Sequence, residues 1–507
     1  MQVITLLIVA MVYLSEDAAR WWPWPLDLTV NQRLLIALLG PLVLVFPAWA
    51  ALRGCLRRMN TRGSWKALLL ADRLMVAAMW LALALHAFNI AALDLHGTIR
   101  TRLGDWVLVD EVIALLPPLA AILGAWWAYY PINRRLREAS LIRHLDTGRA
   151  IYPVWTRGEY LTSQVRLHFG LVLLPALLIM GWAEGVDFFW RASVSDEVPP
   201  WWRHAALGLG VAAIFLFAPA LMTRIWDTAP LGEGELRDRL EGLCKAHGVR
   251  VRRLLIWNTH GGMINGAVMG LLGPLRYVLL TDALLDAMTT RQVEAVMAHE
   301  IGHARRHHLP WLAITLMAIL STAALATTLA MRGLDPLVNG SAEVDLVPPW
   351  EIRIEPMRRR GNGPMPFPEP VAAAEWIEPV GLIATVVISL SVFGWTSRRF
   401  ERQADTFAVQ QLAGMTRDDG REAIITADAA EAMTEALQVV AELNHIPTRR
   451  RSWRHGSIRW RQDYLRTLVG RRCNDVPIDR QMRLIEIAAA IALTASLAAT
   501  WWLDGFG

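Results

Sequence analysis

Residues 289–308 read TTRQVEAVMAHEIGHARRHH. If this stretch is helical, His299 and His303, four positions apart, share one face a single turn apart. That is the spacing two metal-ligating imidazoles require, and Glu300 stands beside the first of them. The chemistry such a set serves is hydrolysis. A zinc ion lowers the pKa of a water, and a neighbouring carboxylate takes its proton and later passes it on. Local signals predict the helix. Thr289 and Gln292 are spaced as a capping box, and Val293, Val296, Met297 and Ile301 follow at helical intervals. Gly302, between the histidines, is an odd choice for a plain surface helix.

A catalytic zinc site takes three protein ligands and leaves one position open. His307 is four beyond His303, but the pattern that recruits a third histidine inserts a glycine turn absent here. His307 and His308 are therefore expected to be interfacial polar residues ahead of a span starting near Trp311. A second candidate lies in SRRFERQADTFAVQ, residues 397–410. Glu401 and Asp405 are four apart on a predicted helix. Spacing alone leaves them open between a ligand with its orienting partner and an ordinary acidic pair on a basic, solvated face.

The elements that must hold these residues are mostly membrane helices. Of the 507 residues, 54% are hydrophobic and 19% charged. That composition excludes disorder, collagen and an ordinary cytosolic enzyme. Apolar runs near 34–52, 68–93, 106–130, 167–182, 204–222, 311–331, 379–396 and 484–502 are each read as a span. The short run 1–14 is a weaker ninth, giving about eight or nine spans. It lacks the basic start and cleavage site of a signal peptide.

Loop charges set the orientation. Segment 53–66 holds Arg53, Arg57, Arg58, Arg62 and Lys66, and 131–166 holds seven arginines; 94–105 and 186–203 hold two basic residues each. The basic loops belong in the cytoplasm, and continuing the count places 223–309 and 397–483 there too. Segment 332–378, proline-rich, is expected outside as an irregular loop. A net charge of +5 does not indicate nucleic acid as a partner. The cysteines, Cys55, Cys244 and Cys473, all fall on the reducing side, which fits their lack of a disulfide pattern.

The expected organisation is mainly α: membrane helices over 1–222, a first cytoplasmic part over 223–309, two spans over 310–397, a second cytoplasmic part over 398–483 and a last span over 484–507. The two cytoplasmic parts must meet in space as one split α+β domain.

HEIGH, then two spans, then ERQAD resembles the integral-membrane zinc metallopeptidases of the type-1 CAAX prenyl protease and HtpX group. MINGAVMGLLGPLRYVLLTDALLDAM (263–288) resembles the family's strand region ahead of the HExxH helix. ALQVVAELNHIPTRRRSWRHGSIRWRQDYL (436–465) resembles its histidine-containing segment, with Gly456 where the family writes proline. The resemblance covers roughly 230–480 and implies a zincin-like domain. It implies that His299, His303 and Glu401 bind one zinc ion. Glu300 is then general base and acid, Asp405 supports a zinc-binding histidine, and Arg461 stands beside the site. His455, otherwise a lone histidine in a basic loop, would stabilise the oxyanion. Asn265 and Ala267 would lie on the strand that receives substrate. From the residues alone, Asn265 is equally a turn residue beside Gly266.

The function expected is a metalloendopeptidase of the bilayer, acting on membrane-associated peptides or membrane proteins at the cytoplasmic face, in a bacterial cytoplasmic membrane. The alternative is a zincin-domain signal transducer of the antibiotic-receptor type, for which 332–378 is too short to supply a sensor core. An intramembrane site-2-type protease is disfavoured because Arg305 and Arg306 follow the motif. A scaffold with a structural zinc would close the site with four protein ligands.

Overall fold

The computed structural model describes residues 1–15, 26–148, 150–193, 201–338, 377–415, 423–444 and 446–505. The external loop expected over 332–378 falls largely outside them. Two compact units emerge. The first comprises 1–230 with 255–262 and 275–277; the second comprises 231–254, 263–274 and 278–507.

The first unit is a helical bundle: α1 (Gln2–Tyr13), α2 (Val30–Arg62), α3 (Trp65–Ala91), α4 (Leu95–Leu103), α5 (Val109–Thr147), α6 (Arg157–Gln164), α7 (Gly170–Ser193) and α8 (Trp201–Ile225). Among the described residues of the chain, seven helices are long and apolar enough to cross a membrane, five of them here. They match the runs read from sequence at 34–52, 68–93, 106–130, 167–182 and 204–222. Leu38, Val43 and Phe46 of α2 are exposed at 67%, 75% and 68%, as a lipid-facing stripe should be. The ninth candidate is α1, at 12 residues too short to span. It is instead packed into the bundle, with Ile8 and Val12 buried. Strand β1 (Thr228–Pro230) pairs antiparallel with β2 (Arg253–Trp257) in the register Ala229 to Ile256.

The second unit contains every residue of the expected site. It runs α9 (Glu235–Ala246), β3 (Gly266–Met269), β4 (Tyr277–Thr281), α10 (Asp282–Ala287), α11 (Thr290–Arg305), α12 (His308–Val338), α13 (Ile377–Leu412), α14 (Ala427–Leu443), α15 (Ile458–Arg466) and α16 (Pro477–Gly505). Strands β3 and β4 are neighbours, with β3 at the edge of the sheet. Helices α12 and α16 are the remaining two of the seven. The run 379–396 lies in the first half of α13, which is not among the seven, yet its Val386, Val387, Ile388 and Leu390 are exposed apolar residues. Helices α12, α13 and α16 pack together, with Ser321 Oγ 2.7 Å from Ser496 Oγ between the first and last.

The helix carrying HEIGH starts where the sequence says. Thr289 caps it, its side chain accepting from Gln292 N while the Gln292 side chain accepts from Thr289 N. Its buried face, including Ala295 and Ala298, joins a core with Phe400, Ala408, Met433, Ala436 and Leu465 from α13, α14 and α15. Helices α11, α13, α14 and α15 thus pack as one body around the site.

Gly302 explains its own presence. A Cβ there would lie 3.2 Å from Ala404 Cα and 3.2 Å from Phe407 Cβ, so α11 and α13 cross nearly backbone to backbone at this point. The crossing is what carries Glu401 to the histidines. Gly302→Val, with branched bulk aimed at a backbone atom, is expected to cost about 1–3 kcal/mol and to weaken zinc binding. Thermal unfolding in detergent, read beside zinc content, checks this; a fully stable variant with wild-type zinc would contradict it.

Candidate metal centre

Helix α11 presents His299 Nε2 and His303 Nε2 3.2 Å apart. Helix α13 brings Glu401, whose Oε2 lies 3.7 Å from His299 Nε2 and whose Oε1 lies 3.8 Å from His303 Nε2. A tetrahedral zinc with bonds of about 2.0–2.1 Å spaces its ligands roughly 3.3 Å apart. The three donors therefore surround a point that one such ion would fill, and the donor set of two imidazoles and a carboxylate is one zinc favours.

Behind the donors lies a charged framework. His299 turns Nδ1 to within 2.9 Å of Asp405 Oδ1, an ion-pair contact off the line of a well-aligned hydrogen bond. Arg461 donates to both Asp405 oxygens, Nε to Oδ2 at 2.7 Å and Nη2 to Oδ1 at 2.6 Å. Its Nη1 reaches Glu401 Oε2 at 3.2 Å. One buried guanidinium so spans two buried carboxylates, in the forked geometry that arginine alone supplies.

This framework sets the ionisation of the site. Burial works against charge on Asp405 and Glu401, but Arg461 overrides it and holds both carboxyls below the usual range. Burial likewise opposes a charge on His299, and the Asp405 carboxylate lifts its pKa above the ordinary histidine value. At His303 the pull of Glu401 is outweighed: burial, then the neighbouring His299, holds it down at about 4, so it is neutral and able to donate a lone pair. Burial pushes the Glu300 carboxyl up to about 7. A carboxyl balanced there can take a proton and give it back near neutrality.

Glu300 faces the edge strand, accepting from Val268 N at 3.2 Å. Gly266 makes this approach possible, because a Cβ there would sit 2.8 Å from Val296 Cγ1 of the motif helix. The strand's start is pinned by an amide clamp: Asn444 Oδ1 accepts from Ile264 N at 3.1 Å, and Asn444 Nδ2 donates to Ile264 O at 2.9 Å. Asn265 gives both backbone groups to Thr281, its N donating to Oγ1 and its O accepting from N, each at 3.0 Å, which leaves its side chain exposed. Ala267 is half-buried between Gly266 and Val268.

His455 stands on the open side, its side chain 53% exposed, with Nδ1 2.9 Å from Glu401 Oε1. A tight turn presents it: Ser452 and Gly456 exchange N–H···O bonds of 3.1 Å in both directions. Gly456 adopts φ +74, beyond the reach of a proline locked near −65°. The glycine at the family's proline position therefore builds the turn by a different backbone route.

The structure thus brings together His299, Glu300, His303, Glu401, Asp405, His455 and Arg461, and sets β3 beside Glu300. Sequence reasoning missed two neighbours. One is Val268, whose peptide rather than its side chain touches the site. The other is His308, expected to be an interfacial polar residue ahead of the span at Trp311. It is buried, its Nδ1 lying 2.8 Å from His303 Nδ1 and its ring stacked on Phe400 at 4.4 Å.

The model of peptidase family M48 matches residues 230–434. The membrane zinc-metallopeptidase family expected from HEIGH and ERQAD is the one found. The M48 stretch includes all three proposed metal ligands. Over 101 residues the chain is 29% identical to CAAX prenyl protease 1 of Saccharomyces cerevisiae. That alignment covers 20% of this chain and spans only 22% of the yeast protein. The crystal structure of S. mikatae Ste24p aligns over 91% of this chain and 98% of its own, at 13% identity and a TM-score of 0.42.

Arg461→Met would leave Asp405 and Glu401 buried without their counter-charge. Breaking a buried pair in this way costs about 3–5 kcal/mol. The expected outcome is a strongly lowered unfolding temperature in detergent, and a drop of only a degree or two would count against the framework described above.

Proposed function

We propose that this chain is a membrane-embedded zinc metalloendopeptidase that hydrolyses peptide bonds of membrane-associated or membrane-protein substrates at the cytoplasmic face. The observation that carries the reading is the convergence of His299, His303 and Glu401 on one point, with Glu300 beside it and the edge of β3 alongside. The M48 match supports the protease class, and the apolar helices support the bilayer as the protein's medium. The arginine-rich loops 53–66 and 131–166 support a cytoplasmic site, and we place the protein in a bacterial cytoplasmic membrane.

His299, His303 and Glu401 would hold one zinc ion, with Asp405 orienting His299 and Arg461 keeping both carboxylates ionised. When bound, zinc would supply Lewis acidity toward a scissile carbonyl and lower the pKa of a water. Glu300 takes a proton from the attacking water and delivers it to the leaving amine. The edge strand β3 offers its open side for a substrate backbone to lie extended against, near Asn265 and Ala267. His455, exposed on the opposite flank, donates to the oxyanion as the tetrahedral centre forms. No side chain bonds covalently to the substrate. The name of the yeast relative, CAAX prenyl protease 1, makes a prenylated peptide the first substrate to assay, with an unfolded membrane protein as the second.

Glu300→Gln is expected to lower kcat by about 10²-fold to 10⁴-fold, the usual worth of a general base, while metal analysis still finds one zinc per chain. Turnover at the wild-type rate would remove Glu300 from the reaction. Glu401→Ala should lose the zinc itself. His455→Phe should keep zinc and slow cleavage; equal rates would leave His455 without a role. A chelator should abolish activity and added zinc restore it.

A further inference from the structure

Within the second unit, His303 is backed by a chain of polar groups that runs away from the metal point. His308 Nδ1 lies 2.8 Å from His303 Nδ1, and His308 Nε2 lies 2.9 Å from Gln403 Oε1. Gln403 Nε2 donates to Asp479 Oδ1 at 2.7 Å, and Arg306 Nη2 donates to Asp479 Oδ2 at 2.9 Å. His308 and Gln403 are both buried.

The order of donors in this chain has only one solution with neutral rings. An ionised carboxylate accepts and cannot donate, and Asp479 is paired with Arg306. Gln403 must then turn its NH₂ to Asp479, which leaves its carbonyl oxygen facing His308. That oxygen also only accepts, so His308 carries its proton on Nε2 and offers a lone pair at Nδ1. His303 must donate to that lone pair from Nδ1. Its own free lone pair is then on Nε2, the atom that faces His299 and Glu401.

The backbone is bent to make this contact. Helix α11 ends at Arg305, and His307 adopts φ +53, an uncommon left-handed conformation for a residue with a side chain. The corner swings His308 back beneath His303. On an unbroken helix, a residue five positions on would point about 140° away at roughly 100° per residue.

Resting on the zinc reading above, we infer that His308 is a positioning residue: through Gln403 and Asp479 it fixes His303 in the tautomer and orientation that can bind a metal ion. The two imidazole ligands are therefore backed differently. His299 leans on the Asp405 carboxylate, and His303 leans on a neutral ring whose anion lies two links further off.

The test is the zinc dissociation constant of the full chain in detergent, measured by competition with a chromogenic chelator, with thermal unfolding recorded for each variant. His308→Leu keeps bulk against Phe400 but removes the acceptor, and is expected to weaken zinc binding about 10-fold to 100-fold, as losing such a partner does elsewhere. His308→Asn restores an acceptor and should recover most of that loss, which a space-filling role would not predict. Gln403→Met, one link on, should weaken zinc severalfold and serves as the comparison if His308→Leu does not fold. Wild-type affinity in His308→Leu or in Gln403→Met overturns the inference while leaving the metallopeptidase reading intact. So does an asparagine variant that folds normally yet binds as weakly as leucine. A wild-type chain that takes up no zinc overturns both.

Discussion

The site depends on keeping two buried carboxylates ionised. Asp405 and Glu401 are both buried on one face of α13, a single turn apart. Alone they would repel each other and shed their charge, since burial and a like neighbour both favour the protonated form. Arg461 prevents this by donating to Asp405 at 2.6 and 2.7 Å and pairing with Glu401 at 3.2 Å. An ionised Glu401 can serve as a metal ligand, and an ionised Asp405 can hold His299. The reach of one guanidinium thus decides whether three of the groups around the metal point are in usable form.

Geometry supplies the second condition. The three candidate ligands come from two helices, and their donor atoms can lie 3.7 and 3.8 Å apart only if those helices nearly touch. Gly302 permits the contact by presenting no side chain to Ala404 and Phe407. A glycine inside a helix loses roughly 0.5–1 kcal/mol relative to alanine. Here that loss is offset by the burial of Phe400, Ala408 and the α14 face in one core. The position that looks weakest by helix propensity is the one that makes the crossing possible.

What could be read from sequence divides along the same line. The motif helix was legible because cap, apolar period and ligand pair all lie within one stretch of 16 residues. Spacing raised Glu401 and Asp405 only as one of two open readings, and His455 and Arg461 were legible only through a family resemblance, because their meaning comes from being packed against a helix far away in the chain. The spans were legible one by one from length and apolarity, although α1 shows that an apolar run can be a short packed helix. His308 was misread because the reading assumed a polar residue at a span's edge, and the left-handed turn at His307 puts it elsewhere. Gln403 and Asp479 carried no signal at all, since a neutral amide and a single acid acquire a role only from what they face.

The same turn ties the metal point to the membrane. His308 is both the partner of His303 and the first residue of α12, a helix apolar enough to span. Glu401 lies on α13, whose exposed apolar stretch includes Val386 to Leu390 on the same continuous helix. Within this unit, then, one ligand is rigidly joined to one membrane helix and the support of another ligand is joined to the next. At 1.5 Å of rise per residue, a shift of α12 against α13 by a single residue would displace these groups by a distance comparable to a metal–ligand bond of about 2.0–2.1 Å. The packing of α12 against α13, and against α16 through the Ser321–Ser496 contact, is consequently part of what sets the geometry of the metal point. A metal point built at the ends of such helices cannot be adjusted independently of the way those helices pack.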